Sequence, residues 1–129
     1  MDIKIPILKI DNVLIASIQS ALDDRTIMQF QNDLLHKVVE TGAVGVVVDI
    51  TAVDVVDSFM ARALNDVAIA VHLLGTRMAV VGMQPSVAIT LVEMGLTIPN
   101  ALTALNLDMG LKAMRESSSP DETLEDEID

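Results

Sequence analysis

The sequence predicts an α/β fold: a mixed β-sheet with an opening hairpin and about four helices. Three observations carry that expectation. Two β-rich runs, "IPILKI" and "NVLIASI", meet at Asp11-Asn12, a pair suited to a tight hairpin turn. A third run, "VGVVVDI", is apolar on both faces until Asp49, as expected of a central strand covered by helices on two sides. Beyond it, strand-like and helix-like segments alternate, which implies strands joined by right-handed crossovers.

The elements follow in order. From Thr26 to Glu40, residues Ile27, Phe30, Leu34, Leu35 and Val38 line one helical face. Asp23 sits where an N-cap is wanted, and Gly42 can supply a left-handed stop. Phe59 to Leu74 reads as the second helix, with Phe59, Ala63, Leu64, Val67, Val71 and Leu74 as its apolar positions and Gly75 at its end. "RMAVVGM" is the next strand. Pro85 to Met94 is a short helix, with proline in its first turn and Gly95 behind it. "ALTAL" makes a last short strand, and "NLDMGLKAMRE" a last helix with Leu107, Leu111 and Met114 on one stripe. No internal repeat is visible.

Composition bounds the function. With 51% hydrophobic and 21% charged residues, the 129-residue chain has the make-up of one folded domain. Its net charge of −11 is uneven. Residues 117–129, "SSSPDETLEDEID", hold six acidic residues and no basic one, which leaves a net −5 over residues 1–116. The expected organisation is therefore a domain over 1–116 and an acidic, solvated, disordered tail over 117–129. A nucleic-acid partner is not expected: there is no basic patch, and Phe30 and Phe59 are the only aromatic residues. No apolar run approaches the ~20 residues that cross a bilayer. With no cysteine and no secretory signal in "MDIKIPILKI", the expected address is cytoplasmic.

Familiar catalytic patterns are missing. There is no GxxxxGK[ST], no GxGxxG and no GxSxG, and His36 and His72 lie on different helices without a metal-ligand spacing. Asp49, Asp54 and Asp57 cluster near the end of the central strand, where receiver domains bind Mg²⁺ and accept phosphate. That arrangement also needs an acidic pair after the first strand and a lysine after the last, and neither is in place. Ser58 stands where "DVVDSFMARAL" hands a loop over to a helix. It could be a cap, a nucleophile, or a residue that another protein modifies. No histidine base accompanies it. Residue chemistry favours a cap, made either by Ser58 or by Asp57 with Ser58 in the first turn. Asp49 either faces solvent or binds loop N–H groups. Thr76 and Ser86 are competing hydroxyls, expected in turn or cap roles.

The segments "VVVDIT", "DVVDSFMARAL" and "RMAVVGM" followed by a proline-started helix resemble the STAS family, of anti-sigma-factor-antagonist type, from Ile3 to about Glu116. Simple bacterial antagonists usually read "DSSG" in this loop. Here Phe59 and Met60 follow Asp57-Ser58, and "DSFMARAL" looks like the RsbS branch of the stressosome. The resemblance implies a protein without catalytic activity, metal or cofactor, a scaffold and switch in stress-response signalling. Its partners would be an RsbR-type STAS paralogue with a sensor domain, an RsbT-type serine/threonine kinase that it holds, and a PP2C-type phosphatase. Ser58 would be the phosphorylation site, with Asp49, Asp54, Asp57, Phe59 and Arg62 as switch-loop and partner-contact residues. Dimers would build a large hetero-oligomer. The alternatives are a receiver-like phosphoacceptor using Asp49 or Asp54, and a STAS module that binds a small ligand through the loop after Asp49.

Overall fold

The structure, a computed structural model, describes residues 4–20 and 22–117. Strands β1 (Ile7–Ile10) and β2 (Val13–Ser17) pair antiparallel with Ile10 opposite Val13. Asp11-Asn12 is therefore a two-residue turn. Asp11 takes φ 55, a left-handed backbone that aspartate tolerates better than most side chains. Strands β3 (Gly45–Asp49), β4 (Arg77–Val81) and β5 (Leu102–Ala104) then run parallel to β2, in the spatial order β1-β2-β3-β4-β5. The helices are α1 (Asp24–Thr41), α2 (Ser58–Leu73), α3 (Pro85–Glu93) and α4 (Leu107–Ser117). The mixed sheet, the opening hairpin and the four helices are those expected from the sequence.

Alternation along the strands divides the core in two. Leu14, Ala16, Val46, Val48, Met78 and Val80 face the layer formed by α1, α2 and α3. Val13, Ile15, Val47, Ala79 and Val81 face α4, whose Met114 is fully buried against them. Strand β3 lies in the middle of the sheet with apolar residues on both faces, which explains its unbroken apolar run.

Helix α1 starts slightly earlier than its apolar pattern. Asp23, in extended conformation, accepts the Thr26 amide at 2.8 Å, and Gly42 closes the helix at φ 66. That backbone hydrogen bond holds the Asp23 carboxyl below its ordinary value. Leu35, expected on the buried stripe, is only partly buried. Helix α2 departs further: Met60, Ala61, Leu64, Val67, Ala68 and Val71 are buried, while Phe59 and Leu74 are exposed. It begins at Ser58 because Asp57 is the cap, and its buried stripe runs through Met60, Leu64, Val67 and Val71, about 100° round the helix from Phe59. Helix α4 ends at Ser117, one residue into the expected tail; residues 118–129 lie outside the described residues. Among the described residues no helix is long and apolar enough to cross a membrane.

Close approach of α4 to the sheet depends on a glycine. A Cβ on Gly110 would lie 2.5 Å from Val81 Cγ1. Alanine at 110 gains helix propensity of ~1 kcal/mol. Against that, the β-branched Val81 is locked in a central strand and cannot swing aside, and overpacking costs ~1–3 kcal/mol. Gly110→Ala should therefore lower stability to urea by up to about 2 kcal/mol; a gain would show that α4 has room to ride higher. The Asp23 cap predicts a pH effect. Its carboxyl is more acidic folded than unfolded, so its contribution is complete above the ordinary carboxylate range and is lost as pH falls through the lowered folded value. Asp23→Ala should flatten the acid side of the stability–pH profile while leaving its shape near neutrality unchanged.

Candidate functional site

Strands β2, β3 and β4 end along one edge of the sheet, and the segments that leave them build the site. Two hydrogen bonds carry the ladder past the strand ends: the Ile18 amide to the Asp49 carbonyl at 2.9 Å, and the Ile50 amide to the Val81 carbonyl at 3.0 Å. At the end of β3, Asp49 Oδ1 accepts both the Thr51 amide (2.9 Å) and the Thr51 hydroxyl (2.5 Å), which turns the chain back on itself. Gln84 donates from Nε2 to the Thr51 carbonyl at 2.9 Å, tying the segment after β3 to the one after β4. Gly82, at φ 76, makes room for this turn. A Cβ there would overlap the Thr51 hydroxyl and reach 3.1 Å from Asp49 Oδ1.

The loop from Ile50 to Asp57 is pinned from within. Val53 and Val56 are buried, and the Val53 amide donates to the Ile50 carbonyl at 2.9 Å. Between these anchors Asp54 and Val55 point outward, Val55 being 61% exposed. Asp57 follows at φ −92, ψ 178, and its Oδ1 accepts the Met60 amide at 2.8 Å. That is the N-cap bond of α2.

Ser58 is consequently the first residue of α2 and not its cap. It is half-buried, and among the described residues nothing holds its hydroxyl. Phe59 is 37% exposed beside it, and Arg62, one turn on, is exposed. Asp54, Asp57, Phe59 and Arg62 are thus exposed and Ser58 half-buried along the loop and first turns of α2, while Asp49 is half-buried at the end of β3, where it braces the turn. Sequence reasoning missed Thr51, Gln84, Gly82 and Val55. A glycine directly after "RMAVV" was the one available signal, since such a glycine often marks a close approach.

The three aspartates do not form a receiver-like pocket. Asp49 and Asp57 each commit an oxygen to the loop backbone, and among the described residues no three His, Asp or Glu side chains could hold a metal ion. The competing hydroxyls separate clearly. Thr76 is buried at the start of β4, the opposite edge of the sheet, where it donates to the Ala43 carbonyl at 3.1 Å. It ties two distant loops together instead of shaping a turn. Ser86 is exposed in the first turn of α3, whose cap position is Gln84, so it is not a cap.

The model of the STAS domain family matches residues 4–106. Among solved structures, Moorella thermoacetica RsbS S58E is 39% identical, with a TM-score of 0.76 over 88% of this chain and 97% of that one. A chain of the molecular architecture of the stressosome, a signal integration and transduction hub, is 41% identical, with a TM-score of 0.75 over 88% of this chain and 98% of that one. The RsbT co-antagonist protein RsbRA of Bacillus subtilis (strain 168) is 27% identical over 106 residues, 82% of this chain. The chain spans only 39% of that relative's length.

The division of labour at the start of α2 can be measured. Asp57→Ala should cost ~0.5–2 kcal/mol of stability, the usual loss for a cap. Ser58→Ala should stay within about 0.5 kcal/mol, as for a side chain with no partner to lose. Equal losses in urea unfolding would show that the serine shares the cap.

Proposed function

The chain belongs to the STAS domain family, and from that membership and the geometry around Ser58 we propose that it is a non-catalytic stressosome component of the RsbS kind. It is a scaffold and phospho-switch that holds an RsbT-type serine/threonine kinase and lets it go once Ser58 is phosphorylated. The observation that carries this reading is the freedom of the Ser58 hydroxyl: Asp57 takes the cap, so the serine stands accessible at the head of α2 with no structural task. The RsbS structure at 39% identity and the stressosome chain at 41% support the same assignment.

The chemistry is simple. The kinase transfers the γ-phosphoryl group of ATP to Ser58 Oγ; ADP leaves and the hydroxyl proton is released. The product carries about −1.5 to −2 charge beside Asp54 and Asp57. The positive end of the α2 dipole stabilises it by ~0.3–1 kcal/mol, and repulsion from the two aspartates offsets part of that. The domain keeps its fold, and the change falls on the bound partner, which meets a dianion. A loss of ~3 kcal/mol at that contact is more than a hundredfold in affinity, enough for release. A PP2C-type phosphatase resets the serine. Paired copies assemble with an RsbR-type paralogue into a large hetero-oligomer, regulating a stress response.

After incubation with an RsbT-type kinase and ATP, mass spectrometry should find phosphate on Ser58. Modification of Ser86 or of the serines after residue 116, with Ser58 untouched, would sink the assignment. Ser58→Ala should fold and keep the kinase. Ser58→Asp should fold and hold it less tightly, with a partial effect because it carries less charge than a phosphate. Mixed with an RsbR-type paralogue, the chain should elute as a particle far larger than either component; separate small species at every salt concentration would count against the scaffold role.

A further inference from the structure

Ser58 opens α2 and Arg62 follows four residues later, a spacing that puts the two side chains on one flank of the helix with Cβ atoms about 5–6 Å apart. We propose that Arg62 is the internal receptor for the phosphate on Ser58, and that closing this pair withdraws Arg62 from the surface that holds the kinase. The inference rests on the reading of Ser58 as the modified residue and adds how the modification is transmitted.

Three observations point to Arg62. It is exposed, and among the described residues it has no ion pair or side-chain hydrogen bond. Within one turn of Ser58 along the chain it is the only cation, against Asp54 and Asp57. Its other neighbour at the same spacing is Asp66, which lies on the C-terminal side. Direction matters in a helix: an acid four residues before a base pairs better than an acid four residues after it. Asp66 is thus the poorly oriented partner, and no Arg62–Asp66 ion pair forms in the structure. Phosphoserine at 58 would be the well-oriented one, with more charge and oxygens that match the guanidinium fork in two parallel hydrogen bonds.

Before modification Arg62 is free to meet an acidic group on the kinase. After it, the phosphate competes for the same guanidinium from within the domain, at high effective concentration. One phosphoryl group then acts twice: it places a dianion at the interface and removes the cation beside it.

The test uses the full chain with phosphoserine installed at position 58 during translation, so no kinase is needed. ³¹P NMR follows the second ionisation of the phosphate in wild type, Arg62→Gln and Arg62→Lys. Arg62→Gln should raise its midpoint by about 0.2–0.4 pH unit, and Arg62→Lys should recover part of the difference. Superimposable curves for wild type and Arg62→Gln would overturn the pairing. Circular dichroism checks that each variant is folded. Kinase affinity is measured alongside, with and without the phosphate. Arg62→Gln should weaken binding of the unmodified chain by about three- to tenfold and change that of the phosphorylated chain less than about twofold. Equal losses in both forms would overturn the withdrawal, because Arg62 would then still face the kinase. Failure of the kinase to choose Ser58 would appear in the mass spectrum and leave the NMR comparison unaffected.

Discussion

One hydrogen bond, from the Met60 amide to the Asp57 carboxylate, sets the start of α2 and with it the character of the whole site. A helix turns by 100° per residue, so the spacing of apolar residues along α2 fixes which side chains face the sheet, and the cap fixes where that spacing begins to apply. With Asp57 as cap, Met60, Leu64, Val67 and Val71 fall on the buried stripe with Ala61 and Ala68 beside them. Ser58, Phe59 and Arg62 are turned outward by the same geometry. Had Ser58 been the cap, its hydroxyl would be committed to the backbone and unavailable to another protein. The freedom of the serine is thus a by-product of its neighbour's bond.

The loop before the helix is held almost as firmly as the helix. Val53 and Val56 anchor it in the core, the Asp49–Thr51 turn fixes its start, and Gln84 fastens that turn to the segment after β4. A pinned loop has little room to refold when charge is added. On the proposed reading this is what directs the effect of phosphorylation outward, to the partner. A loop that rearranged would absorb part of the electrostatic cost internally and weaken the signal.

What was legible in the sequence follows the range of the interactions. Strands and helices were readable because their periodicity is local, and Asp23 was readable as a cap even with Asp24 beside it, because a long one-faced apolar pattern follows. The start of α2 was not, since Asp57 and Ser58 are both good caps and apolar residues follow in either phase. Thr51, Gln84 and Gly82 escaped because the contact that joins them spans 33 residues, between Thr51 and Gln84. Thr76 reaches Ala43 over the same separation. The need for glycine at 110 was equally out of reach, because its reason is Val81, which only the packing of α4 brings near. The switch role of Ser58 came from resemblance to a family. Chemistry alone ranked a cap first, by Ser58 or by Asp57 with Ser58 in the first turn, and the structure has the second.

The residues around the serine also bear on how strong such a switch can be. Val55 and Phe59 are exposed apolar side chains on either side of Asp57-Ser58. A partner that covers them removes water from the serine's surroundings. A phosphate in a wet, open site would be screened and would cost the complex little. Beside a desolvated aromatic ring the same dianion loses hydration that one guanidinium within the domain replaces only in part, and the penalty grows accordingly. Apolar contact tightens binding in the unmodified state and raises the cost of the modified one. Affinity and switching range therefore increase together, which neither a purely polar surface nor a purely apolar one could provide.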